Sequence, residues 1–183
     1  MDLYSPYKEG TQQYNDIQKI LNDNKNNPSI KWRIVGTHEP WFTADTMYDP
    51  EDDQRRVYWK MLQDNKVDLV IFGHVNAYQR FYPLLMGEDA DTPIPVAPEL
   101  NPNWSKVTDI PNNEIIFVIN GNGGRSLHDL DLDDDSRAIL GNYTNAFYGY
   151  SIIELTENAQ KLTFKHYNNE GKSLFDIFTL TKY

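Results

Sequence analysis

The chain of 183 residues contains no cysteine. That absence excludes disulfide staples, thiolate metal sites and cysteine nucleophiles. Long apolar runs are missing too, and nothing approaches the roughly 18 consecutive apolar residues of a membrane-spanning helix. The opening Met1-Asp2-Leu3-Tyr4 has neither a basic stretch nor an apolar one, so no secretory signal is visible there. Positive charge is scarce: Lys and Arg number 17 against 27 Asp and Glu, a formal net charge of -10. This surplus argues against nucleic acid or an anionic membrane as a partner, since both need a basic face. It also gives no long-range attraction to a phosphate substrate, which would need a local cation to hold it. The compartment stays open, an extracellular or cell-envelope location included.

What is present is the composition of one packed domain spanning 1–183. Hydrophobic residues make up 39% and aromatic residues 13%, enough to build a core. Thr11 followed by Tyr14, Ile17, Ile20 and Leu21 predicts a capped amphipathic helix, ended by the polar stretch 22–29. The segment 31–37 is a short strand that delivers His38 at its end. A second helix is expected from about Pro50 to Asn65, with Pro50 and three acids suiting its first turn and Val57, Tyr58, Met61 and Leu62 as its apolar stripe. The nearly continuous apolar runs 67–72 and 115–119 read as buried strands. Segment 84–111, rich in Pro, Asn and Asp, reads as a surface excursion. An acidic loop follows the glycine turn 121–124. Three β segments, about 148–155, 161–167 and 174–181, then form a meander with a turn at 168–171. Alternating strands and helices followed by a meander predict an α/β fold: a two-sheet sandwich flanked by helices. The sequons at Asn103 and Asn142 are glycan acceptors only in a secreted context.

Of the four histidines, His38 and His74 share one setting, a short apolar strand and then an imidazole where the strand ends. Open α/β sheets bind ligands at the carboxyl ends of their strands. Two imidazoles on one sheet edge are the beginning of a metal site. They are equally compatible with hydrogen-bonded loop residues. His128 and His166 have no partner pattern and read as structural. The acidic run Asp129 to Asp135 lacks the glycine and terminal glutamate of a calcium loop and reads as a solvated surface. Gly121 to Gly124 has no following Lys-Ser/Thr and reads as a tight turn rather than a phosphate cradle.

The wording of these segments narrows the choice. Val35-Gly36-Thr37-His38-Glu39-Pro40-Trp41-Phe42 resembles the V-x-x-H-x-P-aromatic segment of purple acid phosphatases, within the calcineurin-like metallophosphoesterase superfamily. Gly73-His74-Val75-Asn76-Ala77-Tyr78-Gln79-Arg80 resembles that family's G-H-V-H-A-Y-E-R, with two departures. Ser5-Pro6-Tyr7, Gly10 to Tyr14, Val67 to Val70, the glycine turn, Phe147 to Tyr150 and Gly171 to Phe178 follow in the family's order, so the resemblance spans about 4–181.

The resemblance implies a sandwich with two metal ions at the sheet edge and hydrolysis of phosphate monoesters. It implies that His38 and His74 bind one metal. Asn76 stands where the family's second histidine binds the other, and Gln79 stands where the family has glutamate. Arg80 and Gln79 become candidates for phosphate contact or for support behind the ligands, with a structural ion pair the preferred reading for Arg80. The family's upstream motifs G-D-x-G, G-D-x-x-Y and G-N-H-[DE] have no counterpart here, so the chain corresponds to a C-terminal part of the domain. Iron, zinc or manganese is the implied cofactor, at reduced or absent occupancy. A second cation beside the first is repelled unless a bridging carboxylate offsets the repulsion. A small phosphate ester is the expected ligand. Association through unpaired strand edges, or with the missing N-terminal half, is also expected. The rival reading is a catalytically inactive phosphatase-like binding or scaffold domain, favoured by Asn76 and Gln79.

Overall fold

The computed structural model describes residues 1–2, 4–87, 92–95 and 114–182. Thr11, in extended conformation, accepts the Tyr14 N–H at 3.5 Å and opens helix α1 (Gln12–Asn24). Tyr14, Ile17 and Leu21 of α1 face the core. Ile20 does not: it is 62% exposed, so the expected stripe is one residue narrower than the sequence suggests. Helix α2 (Asp52–Asp64) carries Asp52 and Asp53 in its first turn and buries Tyr58, Trp59, Met61 and Leu62. Gln54 is buried on the same helix because it has work there. Its Oε1 accepts the Trp41 indole N–H at 2.8 Å and the Thr37 hydroxyl at 3.3 Å, which fixes the chain on both sides of His38.

One sheet contains β1 (Ile34–Thr37), β2 (Leu69–Phe72), β3 (Tyr78–Phe81), β6 (Ile116–Asn120) and β7 (Leu140–Thr144), in the order β1-β2-β6-β3-β7. β1, β2 and β6 are parallel, and β3 runs antiparallel to both of its neighbours. α2 makes the crossover between β1 and β2 that a parallel pair requires. The second sheet is the meander β8 (Gly149–Thr156), β9 (Lys161–Asn168) and β10 (Leu174–Thr181). A small antiparallel pair, β4 (Leu84–Met86) and β5 (Pro93–Pro95), stands apart. It opens the stretch read as a surface excursion, of which 88–91 and 96–111, with the Asn103 sequon, lie outside the described residues.

The continuous apolar runs of β2 and β6 follow from burial on both faces. Val70, Phe72, Phe117 and Ile119 point to the helices, where Trp41, Phe42 and Trp59 complete one cluster. Leu69, Ile116 and Val118 point the other way, onto Leu162, Phe164, Phe178 and Leu180 of the second sheet. Each such fully buried side chain contributes about 1.5–3 kcal/mol. The fold is thus the expected helix-flanked pair of sheets, with the five-stranded sheet in the middle. The acidic stretch is not all loop. It contains α3 (Asp134–Ile139), whose first turn holds Asp134 and Asp135, while Leu130 and Leu132 turn inward onto the core. The Asn142 sequon lies in β7, where Asn142 hydrogen-bonds Asp176 and Thr144 is buried, unlike the free surface loop a glycan needs.

Candidate functional site

Because β1 and β2 are parallel neighbours with Thr37 opposite Phe72, their C-terminal ends coincide. The chain therefore brings two residues 36 apart in sequence to one edge. His38 Nε2 and His74 Nδ1 stand 3.1 Å apart, with the rings edge-on. The Gly73 N–H donates to the His38 carbonyl at 2.9 Å and ties the two turns together. His74 holds a left-handed backbone, φ 60°, a strained position for a side chain with a Cβ and common at functional sites. The turn continues as two tight i to i+2 contacts, Val75 N–H to Gly73 O and Ala77 N–H to Val75 O. It packs on the glycine turn after β6. A Cβ at Gly121 would lie 1.9 Å from the Val75 carbonyl oxygen, so only glycine fits.

This edge opens into a cavity of about 530 Å³. His38, His74, Asn76 and Tyr48 line it on one side, and Arg125 and His128 complete the wall. The Tyr48 ring touches both His74 and His128, at centroid distances of 4.4 and 5.4 Å. His128, read from sequence as structural, is therefore a cavity residue. Its Nδ1 lies 2.5 Å from Asp45 Oδ2, and the Asp45 side chain is fully buried. At that separation a proton lies between the two atoms, since two lone pairs would otherwise face each other, and the Asn76 N–H approaches the same Nδ1 at 3.4 Å. The other Asp45 oxygen accepts the Met47 N–H at 2.6 Å. Nothing in the sequence joins His128 to a partner 83 residues away; the only available signal was that both fall beside segments already assigned to the site.

The remaining candidates take different positions. Asn76 lines the cavity, and its amide nitrogen donates to the Ser126 carbonyl at 3.0 Å. Gln79 is fully buried behind the cavity. Its Oε1 accepts the Ala44 N–H at 2.9 Å and its Nε2 donates to Thr43 Oγ1 at 3.2 Å, so it clamps the loop that carries Asp45. Arg80 makes a structural ion pair, away from the cavity. Its guanidinium forks onto Asp176, Nε to Oδ2 at 2.6 Å and Nη2 to Oδ1 at 3.0 Å, buried between the sheets. Burial alone would raise the Asp176 carboxyl, but the Arg80 hydrogen bonds and charge, with Tyr78 and Asn142, outweigh it and hold the group below its ordinary value.

His166 is the fully buried histidine. Its Nε2 accepts from Asn122, its Nδ1 donates to Ser151, and Ser151 donates in turn to Asn120. Burial pushes its pKa down to about 4. It serves the core, stacked on Tyr78.

Two ligand nitrogens at about 2.0–2.1 Å from one ion, at angles between right and tetrahedral, lie about 2.9–3.4 Å apart. The His38–His74 separation fits that window. No group of three or more His, Asp or Glu side chains suited to enclosing a cation occurs among the described residues. Fold and paired imidazoles together describe an α/β sandwich with two facing imidazoles at the ends of parallel strands. The family model for calcineurin-like phosphoesterases matches residues 2–78. Purple acid phosphatase 19 of Arabidopsis thaliana is 33% identical over 81 residues, covering 44% of this chain and 20% of that protein. A nucleotide pyrophosphatase/phosphodiesterase of Hordeum vulgare is 27% identical across 98% of this chain and 46% of its own. A purple acid phosphatase from yellow lupin (Lupinus luteus) seeds has the same fold, with a TM-score of 0.76 at 21% identity over 98% of this chain and 30% of that one. The chain is a homologue of the purple acid phosphatases, matched over their C-terminal part. It spans less than half the length of these relatives.

Proposed function

We propose that the chain carries one face of a metal-dependent phosphoesterase site that hydrolyses phosphate monoesters, with a degenerate dinuclear centre. The observation that carries this reading is the 3.1 Å approach of His38 Nε2 and His74 Nδ1 at the ends of adjacent parallel strands. Two facing lone pairs at that distance need a proton or a cation between them. When bound, a divalent ion of iron, zinc or manganese supplies Lewis acidity and a more acidic water. His38 and His74 hold it, the backbone of 73–77 aims the rings, and Tyr48 shields one flank of His74 from solvent. Catalytic zinc sites use three protein ligands, so two imidazoles alone predict weak occupancy. Asn76 offers an amide oxygen at most, with its nitrogen engaged by Ser126.

The second reading is an inactive, phosphatase-like binding or scaffold domain. The commitment of Asn76 to Ser126, and the lack of a third His, Asp or Glu beside the pair among the described residues, favour it. Metal analysis and p-nitrophenyl phosphate hydrolysis on the complete gene product separate the two. Metal content and turnover that both vanish in His74→Ala support the enzyme, and a metal-free, inert protein sinks it. We also propose self-association or docking of further chain along β1. Among the described residues that strand has a paired neighbour on one side only, and its Gly36 carbonyl is met by the Met1 amine at 2.7 Å. A single monomeric species in sedimentation counts against this.

A further inference from the structure

Single apolar side chains on a surface need no explanation, but a group of them around a cavity marks a ligand site. Met47, 65% exposed, and Tyr48, 39% exposed, both line the cavity that holds the imidazole pair. They follow Asp45 in the loop that joins β1 to α2. Leu127, half-buried in the chain after the glycine turn, adds a third apolar side chain to the lining. None of the three belongs to either buried cluster of the described residues, so packing of the core does not account for them.

The loop is pinned with these side chains outward. The Asp45 carboxylate accepts the Met47 N–H at 2.6 Å, and the Thr46 N–H and hydroxyl both donate to the Asp129 carbonyl at 3.2 Å. Gln79 clamps Thr43 and Ala44, and the Glu51 N–H closes the base of the loop on the Pro40 carbonyl at 2.8 Å. The Tyr48 ring leans on His74, with centroids 4.4 Å apart and planes at 70°. An aromatic side chain fixed in this way loses little freedom when a flat group packs against it. The cavity, about 530 Å³, has room for far more than a phosphoryl group. Because Tyr48 touches His74 itself, a ring that reaches it from a phosphoryl group at the imidazole pair is bonded directly to the ester oxygen. A base carried one sugar farther out would pass beyond it.

We propose that Met47, Tyr48 and Leu127 form an apolar platform that selects phosphate esters with an aromatic leaving group attached directly to the ester oxygen. The phosphate part of this assignment rests on the phosphoesterase reading; the binding of the ring requires neither a metal nor turnover. Tyr48 is the specificity-determining residue. Met47 adapts to the ring, since its unbranched thioether makes favourable contact with an aromatic edge.

The test titrates the isotopically labelled chain, as purified, with phenylphosphonate and with methylphosphonate, which share a charged head and resist hydrolysis. The Met47 methyl and Tyr48 ring resonances shift and saturate with phenylphosphonate, which binds about tenfold tighter than methylphosphonate. Tyr48→Ser lowers that ratio about fivefold and Met47→Ala about twofold. A merely structural role weakens both ligands together and keeps the ratio. Met47 is largely exposed, so its variant keeps the fold and carries the test even where Tyr48→Ser disturbs His74. Equal affinity for the two phosphonates, or a parental ratio in both variants, overturns the platform. A larger Tyr48 response to adenosine monophosphate than to phenylphosphonate overturns the direct attachment of the ring. Phenol that binds as tightly as phenylphosphonate, with the same Met47 and Tyr48 shifts, upholds the platform and overturns the phosphoesterase reading.

Discussion

Arg80 stands in a motif whose family members act on phosphate, and its geometry says that it holds two sheets together. The guanidinium leaves β3 and forks onto Asp176 of β10, and both side chains are at most 5% exposed. Tyr78 adds a hydroxyl donor to the same carboxylate at 2.7 Å, and the Ile177 N–H adds another at 3.0 Å. Arg80→Met removes the cation and strands a buried carboxylate. Breaking one side of a buried pair costs about 3–5 kcal/mol, a large share of a stability of about 5–15 kcal/mol. Asp176→Asn keeps an acceptor for Tyr78 but leaves the guanidinium without its charge partner, at similar cost. The double variant has neither charge, so it is milder than the sum of the singles by about 2 kcal/mol. Urea unfolding followed by Trp41 and Trp59 fluorescence reads this from midpoints at constant m.

The pair also carries a pH signature. The folded Asp176 carboxyl lies below its usual value of 3.8, so its stabilisation is complete above that value and is lost as pH falls below it. In Asp176→Asn that acid limb disappears. An Arg80→Met variant within about 0.5 kcal/mol of the parent, a range typical of surface changes, refutes the assignment. So does loss of phosphate affinity in a variant that remains fully stable.

His166 has its pKa depressed to about 4 against an ordinary 6.5, so the unfolded chain takes up the proton first and stability declines as pH falls between those values, by roughly 2–3 kcal/mol. Urea midpoints across that window show the slope, and His166→Asn flattens it. Gly121→Ala drives a Cβ into the Val75 carbonyl, which cannot swing away as a side chain could, and costs about 1–3 kcal/mol with a displaced His74 ring. Thermal melting and the His74 ring resonances report it, and unchanged values for both count against the close approach. Gln79→Leu leaves the Ala44 N–H without an acceptor, a loss of about 1–3 kcal/mol. Hydrogen exchange at Ala44 accelerates while that at Phe117 in the sheet centre keeps its protection relative to the new global stability.

Apolar continuity made β2 and β6 legible, and strand-end placement made His38 and His74 legible. Both signals are local in sequence. What stayed hidden depended on distant partners. β3 is buried along its whole length, yet it reads Tyr-Gln-Arg-Phe because Asp176 and the 43–44 loop satisfy its polar groups. β7, Leu-Gly-Asn-Tyr-Thr, has neither an apolar run nor clean alternation, and its pairing with β3 defines it. His128 became a site residue through Asp45, a contact that no spacing rule reaches.

The same logic divides the motif at 73–80 into parts with separate duties. Residues before the strand begins lie at the sheet edge, and so His74 and Asn76 reach the cavity. From Tyr78 onward the chain is β3, and side chains alternate between faces. Tyr78 and Arg80 face the second sheet, where Asp176 meets both. Gln79 and Phe81 face the helical side, Gln79 on the Asp45 loop and Phe81 in the aromatic cluster. Glutamine at 79 suits that place, because a neutral amide both accepts from Ala44 and donates to Thr43 in a position with no solvent. A carboxylate there would be buried without a cation among the groups that touch it. The departure from the family's pattern at 79 therefore bears on how the loop under His128 is held. The departure at 76 bears on ligation, because that side chain alone of the two faces the cavity.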